Sequence, residues 1–324
     1  MYGWGGSAKS WKGSKKYDYG SARARYDKAA ASAGATGSRS FVTKRDADMS
    51  LVDPLGKIIS SESTDPIIIG IDVTGSMSSW PAEIFDRLPL LYQTLAKYRP
   101  DAEFSFCAIG DAYCDNYPLQ VNAFSKDINE LEASIKALGA EGGGGGQTSE
   151  TYELFGNFML EHCNTPKATS PFLLIYGDEK FYDTVNPDQV KHFIGDDMQD
   201  ALNSKDMWGQ LMQKFNVYFL QKSYGYGESS TTKEVKHHWE KSLGSQRVLD
   251  VPNAERAVDI GMGLIARQWG QYGDFSKSLD ARHDDSGLKA SVHKSLRHVD
   301  GDPSVNSVVS RRSKESKLTK SLLD

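Results

Sequence analysis

Four short apolar runs constrain this chain more than any other feature: Pro66–Asp72 (PIIIGID), Glu103–Ile109 (EFSFCAI), Phe172–Gly177 (FLLIYG) and residues 216–221 (NVYFLQ). The first is the clearest, a continuous apolar run of the kind found in strands covered on both faces. Helical signals fill the gaps. Pro81 suits a first helical turn after Ser78 and Ser79, and Ile84, Phe85, Leu88, Leu91 and Leu95 mark one face, with a kink predicted at Pro89. Residues 117–124 read as a third strand, at an edge because of Pro118. Ser125 is predicted to cap a helix bearing Ile128, Leu131, Ile135 and Leu138 that stops at Gly139. The glycine loop 142–146 leads into a helix from about Thr148 to His162. Further helices are expected over 188–194, 198–214 and 231–243, then a strand at 247–250 and a helix from the Asn253 cap to Trp269.

Repeated strand–helix units of this kind predict an α/β fold: a doubly wound, mostly parallel sheet flanked by helices, with disordered or extended termini. Charge divides the chain into three. Residues 1–45 carry ten Lys/Arg against two acidic side chains (+8) and residues 271–324 ten against eight (+2), so residues 46–270 stand at −15 within a net −5. The expected organisation is a basic low-complexity arm (1–45), a folded domain (46–270) and a polar tail (271–324). The arm is rich in Gly, Ser, Ala and Lys without apolar periodicity, and such a composition buries too little surface to offset ordering. Its positive charge and aromatics would suit nucleic acid, but an acidic body repels that partner, which therefore ranks low. No apolar run approaches the roughly 20 residues of a membrane span, and the basic start lacks the apolar stretch of a secretory signal. Three cysteines, Cys107, Cys114 and Cys163, make neither a disulfide framework nor zinc-finger spacing. A cytoplasmic setting is expected.

In parallel α/β sheets, ligands bind beyond the carboxyl ends of the strands, so the residues following each strand carry the chemistry. Asp72, Thr74 and Ser76 follow the first; Thr148 follows the glycine loop; Asp178 and Glu179 follow the FLLIYG run. Hydroxyls and carboxylates without histidine or thiolate are hard donors, suited to Mg²⁺ or Mn²⁺ rather than Zn²⁺ or Cu²⁺.

On these residues the chain resembles the von Willebrand factor type A (vWA) family. Asp72-Val-Thr74-Gly-Ser76 resembles the Asp-x-Ser-x-Ser motif of its metal-ion-dependent adhesion site, Thr148 the threonine of the second motif, and Asp178 the aspartate of the third. Roughly residues 60–270 share the order of elements. Thr74 replaces a serine, and Tyr-Gly-Asp stands where Thr-Asp-Gly is usual, so Glu179 could compete with Asp178. The resemblance implies that Ser76, Thr74 and Thr148 touch the ion directly while Asp72 and Asp178 act through water. The ion then keeps enough positive charge to capture an Asp or Glu from a protein partner. It further implies a non-enzymatic interaction module, with adaptor work beside ring-forming AAA ATPases of the MoxR type as one use.

Other features carry less. The glycine loop lacks the Gly-Lys-Ser/Thr of a phosphate-binding loop and reads as a hinge for Thr148. Asp111 follows a strand and is a candidate for the site rim. His237 and His238 read as solvated helix residues, and residues 224–227 (YGYG) as a loop on the same rim. Two rival functions remain: a metal-dependent phosphoester hydrolase, for which no general base stands out, and a nucleic-acid-associated structural protein using the basic arm.

Overall fold

A computed structural model of the chain describes residues 47–77, 79–139, 148–224, 229–283 and 285–299. Its centre is a six-stranded sheet: β1 (Pro66–Asp72), β2 (Glu103–Ile109), β3 (Leu119–Val121), β4 (Phe172–Gly177), β5 (Asn216–Lys222) and β6 (Val248–Val251). In space the order is β3-β2-β1-β4-β5-β6. All neighbours pair in parallel except β3, which runs antiparallel to β2 at the edge. This is a doubly wound order, and the winding reverses between β1 and β4.

Among the described residues, eight helices of ten or more residues flank the sheet: α1 (Trp80–Tyr98), α2 (Ile128–Ala137), α3 (Tyr152–Glu161), α4 (Ser204–Lys214), α5 (Ser230–Leu243), α6 (Ala254–Gln268), α7 (Tyr272–Arg282) and α8 (Ser286–Leu296). Strand alternation sorts the core into two layers. Ile67, Ile69, Ile71, Leu174 and Leu220 join residues of α1, α2, α6, α7 and α8 on one face. Ile68, Leu173, Ile175, Val217 and Phe219 join α3, α4 and α5 on the other. Full burial of such a side chain is worth about 1.5–3 kcal/mol, which is why both pleat positions of the central strands are apolar.

Several boundaries differ from expectation. The cap of α2 is Asp127, whose carboxylate accepts from the Asn129 and Glu130 N–H groups, while Ser125 forms an isolated bridge with Phe104. The helix expected from Thr148 begins only at Tyr152, because Ser149–Glu150 pair as a short parallel strand with Lys180–Phe181. The 198–214 helix shrinks to 204–214, started by the Asn203 cap. Helix α1 continues through Pro89. The polar stretch after Gly270, expected as a solvated tail, opens with α7 and α8. Their apolar anchors, Phe275, Leu279, Val292 and Leu296, are fully buried in the layer with α6. One narrow apolar stripe on a polar helix gives a low average hydrophobicity and still seats the helix. The basic arm, the glycine loop and the final RRSKESKLTK segment lie outside the described residues. Among the described residues no helix is long and apolar enough to cross a membrane.

Candidate metal site at the switch point

β1 ends at Asp72, and the chain then turns through Val73 and Thr74 into a single 3₁₀ turn, Gly75–Met77. This leaves an acid and two hydroxyls at the carboxyl edge of the sheet. Asp72 is wholly buried. Its Oδ1 accepts from Thr74 N–H at 2.9 Å and Thr74 Oγ1 at 2.6 Å. Its Oδ2 accepts from the Tyr152 hydroxyl at the start of α3. Gly177 makes that reach feasible, since a Cβ there would overlap the Tyr152 hydroxyl. The Tyr-Gly-Asp order, a departure from the family motif, thus has a local physical reason.

Across the reversal point, Asp178 follows β4 and is also wholly buried. Ser76 Oγ donates to its Oδ1 at 2.7 Å and lies 3.3 Å from Thr74 Oγ1. Asp72, Thr74, Ser76 and Asp178 therefore form one continuous chain of polar contacts. Thr148 is nearby through its backbone: its carbonyl accepts from Lys180 N–H at 3.1 Å, beside the Ser149–Lys180 pairing. That puts it alongside the segment following Asp178.

Sequence reasoning missed Lys222. It closes β5, and its ammonium donates to Asp178 Oδ2 at 2.5 Å, to the Ser76 carbonyl at 3.0 Å and to the Ser223 carbonyl at 3.3 Å. The Trp80 ring centroid lies 6.0 Å away. The signal was available: a lysine at the carboxyl end of a buried parallel strand has the same rim position as Asp72 and Asp178. Tyr152 was also missed, and its hydroxyl enters from the start of α3; Glu150, which stands in the rim segment with Thr148, is brought in by the register of the short Ser149–Glu150 strand.

The surroundings are crowded with buried acids. Glu150 and Glu179 are 3% and 2% exposed, and one oxygen of each, Oε2, has no hydrogen-bond partner among the described residues. Burial, then the Asp178 charge, pushes Asp72 up to about 7. Burial, then Asp178 and Asp72, pushes Glu179 up to about 8. Burial, then Asp72, Glu179, Asp111 and Asp115, pushes Glu150 up to about 11. Glu179 thus belongs to the site and hydrogen-bonds with Ser76 and Glu150, while Asp178 is the acid that Lys222 engages. Asp111 stands in the turn after β2 with Asp115, whose Oδ2 accepts from Asp111 N–H at 2.7 Å, and with Tyr182, whose hydroxyl is 3.4 Å away. It reaches the site as a charge felt by Glu150. His237 is exposed, as expected. His238 is half-buried against Phe181, with ring centroids 4.1 Å apart, and burial lowers its pKa to about 4. Of the expected 224–227 loop only Tyr224 is described; its N–H donates to Thr232 Oγ1 at 3.0 Å.

Among the described residues, no group of three or more His, Cys, Asp or Glu side chains is arranged to hold a metal ion unaided. An ion here would depend on the hydroxyls of Thr74 and Ser76 as well as the acids. The set fits a hard cation chemically: all donors are oxygens, and two buried carboxylate oxygens, one each of Glu150 and Glu179, are without partners among the described residues.

No family model matches the chain, and no curated protein matches it in sequence. Similar solved structures include the pilus adhesin SpaC of Lactobacillus rhamnosus GG in its open conformation, at 10% identity and TM-score 0.44, over 68% of this chain but only 31% of the adhesin. Proximal thread matrix protein 1 of the mussel byssus is similar at 10% identity and TM-score 0.43, over 68% of this chain and 49% of that one. The SpRpn10 VWA domain is similar at 12% identity and TM-score 0.37, over 61% of this chain and 95% of that domain.

Proposed function

We propose that this protein is a non-enzymatic interaction module of the vWA kind, which grips an Asp or Glu of a protein partner through a divalent cation. The observation that carries the reading is the 2.7 Å hydrogen bond from Ser76 to Asp178, joining two strand ends across the point where the sheet's winding reverses. Thr74, Ser76 and Thr148 would supply hydroxyl ligands, with Asp72 and Asp178 behind them, and Mg²⁺ or Mn²⁺ matches such donors. When bound, the ion would offer a positive centre to an incoming carboxylate. The chain's own part is orientation. Thr74 N–H and Tyr152 hold both Asp72 oxygens, and burial keeps competing water away. Adaptor work beside a MoxR-type ATPase in the cytoplasm is the finer form of the proposal, and rests on the motif resemblance alone.

The test is recovery of partner from a native lysate, in Mg²⁺ and in EDTA, by the wild-type chain and by Ser76→Ala. Expected is a drop of about tenfold or more with chelator or with the substitution. Equal recovery under all conditions would remove the metal-bridged reading.

A further inference from the structure

Lys222 carries the site further than the vWA motif does. A buried ammonium needs a strong reason to be where it is. Its side chain is 9% exposed and that of Asp178 is 0% exposed. Its three acceptors are Asp178 Oδ2, the Ser76 carbonyl and the Ser223 carbonyl, so two of its contacts are with residues proposed to serve the cation. A lysine and a divalent ion both answer the same need, positive charge beside Asp178, and like charges at such a distance repel strongly in a buried setting. Lysine is also the side chain suited to leaving: its ammonium sits on a flexible four-carbon stem. The Trp80 ring, 6.0 Å from the ammonium, offers a face that can receive a displaced cation.

We propose that Lys222 is a tethered competitor of the divalent cation: its ammonium neutralises Asp178 until an ion displaces it, so that metal loading and release of Lys222 are one event. Resting on the metal-bridged reading above, this adds that the residue sets the cation threshold of the site. The folded protein has its own counter-charge at low cation concentration and becomes competent for a partner carboxylate only above a threshold.

The experiment titrates MnCl₂ into the full chain, with affinity read by calorimetry and by loss of the free Mn²⁺ electron paramagnetic resonance signal. Wild type, Lys222→Met, Lys222→Gln and Lys222→Met/Asp178→Asn are compared, each first checked for a native far-ultraviolet circular dichroism spectrum. Expected is tighter Mn²⁺ binding by Lys222→Met and Lys222→Gln, by about tenfold to a hundredfold, with the gain lost in the double variant. In a Cys114→Ser background, which removes the exposed native thiol, Lys222→Cys alkylated with 2-bromoethylamine restores an ammonium on a stem of similar length and should return the weak wild-type affinity, which also covers failure of the neutral variants to fold. Equal affinity in wild type and every Lys222 variant overturns the competitor role and leaves the metal-bridged reading standing. Absence of Mn²⁺ binding in all of them overturns both.

Discussion

Two buried clusters of charge lie in different parts of this molecule and are built on opposite plans. Beside α6, Asp259 accepts from Arg256 at 2.7 Å and from Arg282 at 2.8 Å, with His283 Nε2 3.4 Å away. There the carboxylate is outnumbered by cationic partners, all from α6, α7 and the turn after α7. At the carboxyl edge of the sheet the imbalance is reversed: Asp72, Glu179 and Glu150 gather around Asp178, and Lys222 is the ammonium that Asp178 engages among the described residues. The first cluster neutralises its acid internally and ties the end of α7 to α6. In the second the acids outnumber the ammonium, so ionising all of them costs stability and their protons are held to higher pH, an imbalance that persists in a fold when something outside the chain is to answer it. Charge balance, rather than burial or the number of acids, separates a clamp from a site.

The largest effect should come from breaking the clamp. Asp259→Asn strands two guanidinium groups, and losing one partner of a buried ion pair costs about 3–5 kcal/mol. Asp178→Asn leaves the Lys222 ammonium two carbonyl acceptors and relieves acid–acid repulsion, so about 1 kcal/mol is expected. Urea unfolding of the two variants at neutral pH measures both. A greater loss in Asp178→Asn would reverse the comparison and make the sheet edge the structural cluster.

The clusters should also respond to pH with opposite sign. Burial by itself would raise Asp259, but hydrogen bonds from His283 and the charges of Arg282 and Arg256 win and hold it well below the ordinary carboxylate range. Its stabilisation is therefore present above about pH 4 and lost as pH falls. Asp72 and Glu179 are raised, to about 7 and about 8. Their contribution is complete below about pH 4 and is lost as pH rises through 7 to 8. In EDTA, Asp72 and Glu179 together should lower the unfolding free energy by on the order of 2–3 kcal/mol between about pH 6.5 and 8. Glu179→Gln should reduce that alkaline loss, while Asp259→Asn should alter only the acid limb. An alkaline limb unchanged by Glu179→Gln would show that the sheet-edge acids do not carry the excess charge assigned to them.

Much of the fold was legible because the strands bury both faces, and no other element tolerates Ile67-Ile-Ile-Gly-Ile71 so readily. The motif acids were legible for a related reason: residues at the carboxyl ends of parallel strands converge wherever the winding reverses, whatever lies between them in sequence. Lys222 was overlooked, although its strand-end position is the same signal, because a lysine ending an apolar run is easily taken for a strand leaving the core; the pairing of β5 with β4 puts it beside the acid. The α7 and α8 helices escaped because two apolar anchors apiece, Phe275 and Leu279, Val292 and Leu296, are too few to raise a composition average. The Asp259 clamp was equally hidden, since an Arg-x-x-Asp spacing on one helix is commonplace and its partners Arg282 and His283 come from beyond α6.

The smallest expected effect calibrates the others. Lys236 and Asp250 make an ion pair of 2.7 Å, shorter than some contacts in the clamp, but their side chains are 33% and 66% exposed. Water already solvates both groups, so pairing replaces hydration rather than rescuing a buried charge, and holding two side chains in one geometry costs entropy. Lys236→Ala should change the unfolding free energy by about 0.5 kcal/mol or less, and 0.5 M salt should erase the difference from wild type. Losses approaching those of Asp259→Asn would mean that distance alone sets the energy of an ion pair here. The contrast between clamp and site would then have to be drawn on geometry instead of charge balance in a dry environment.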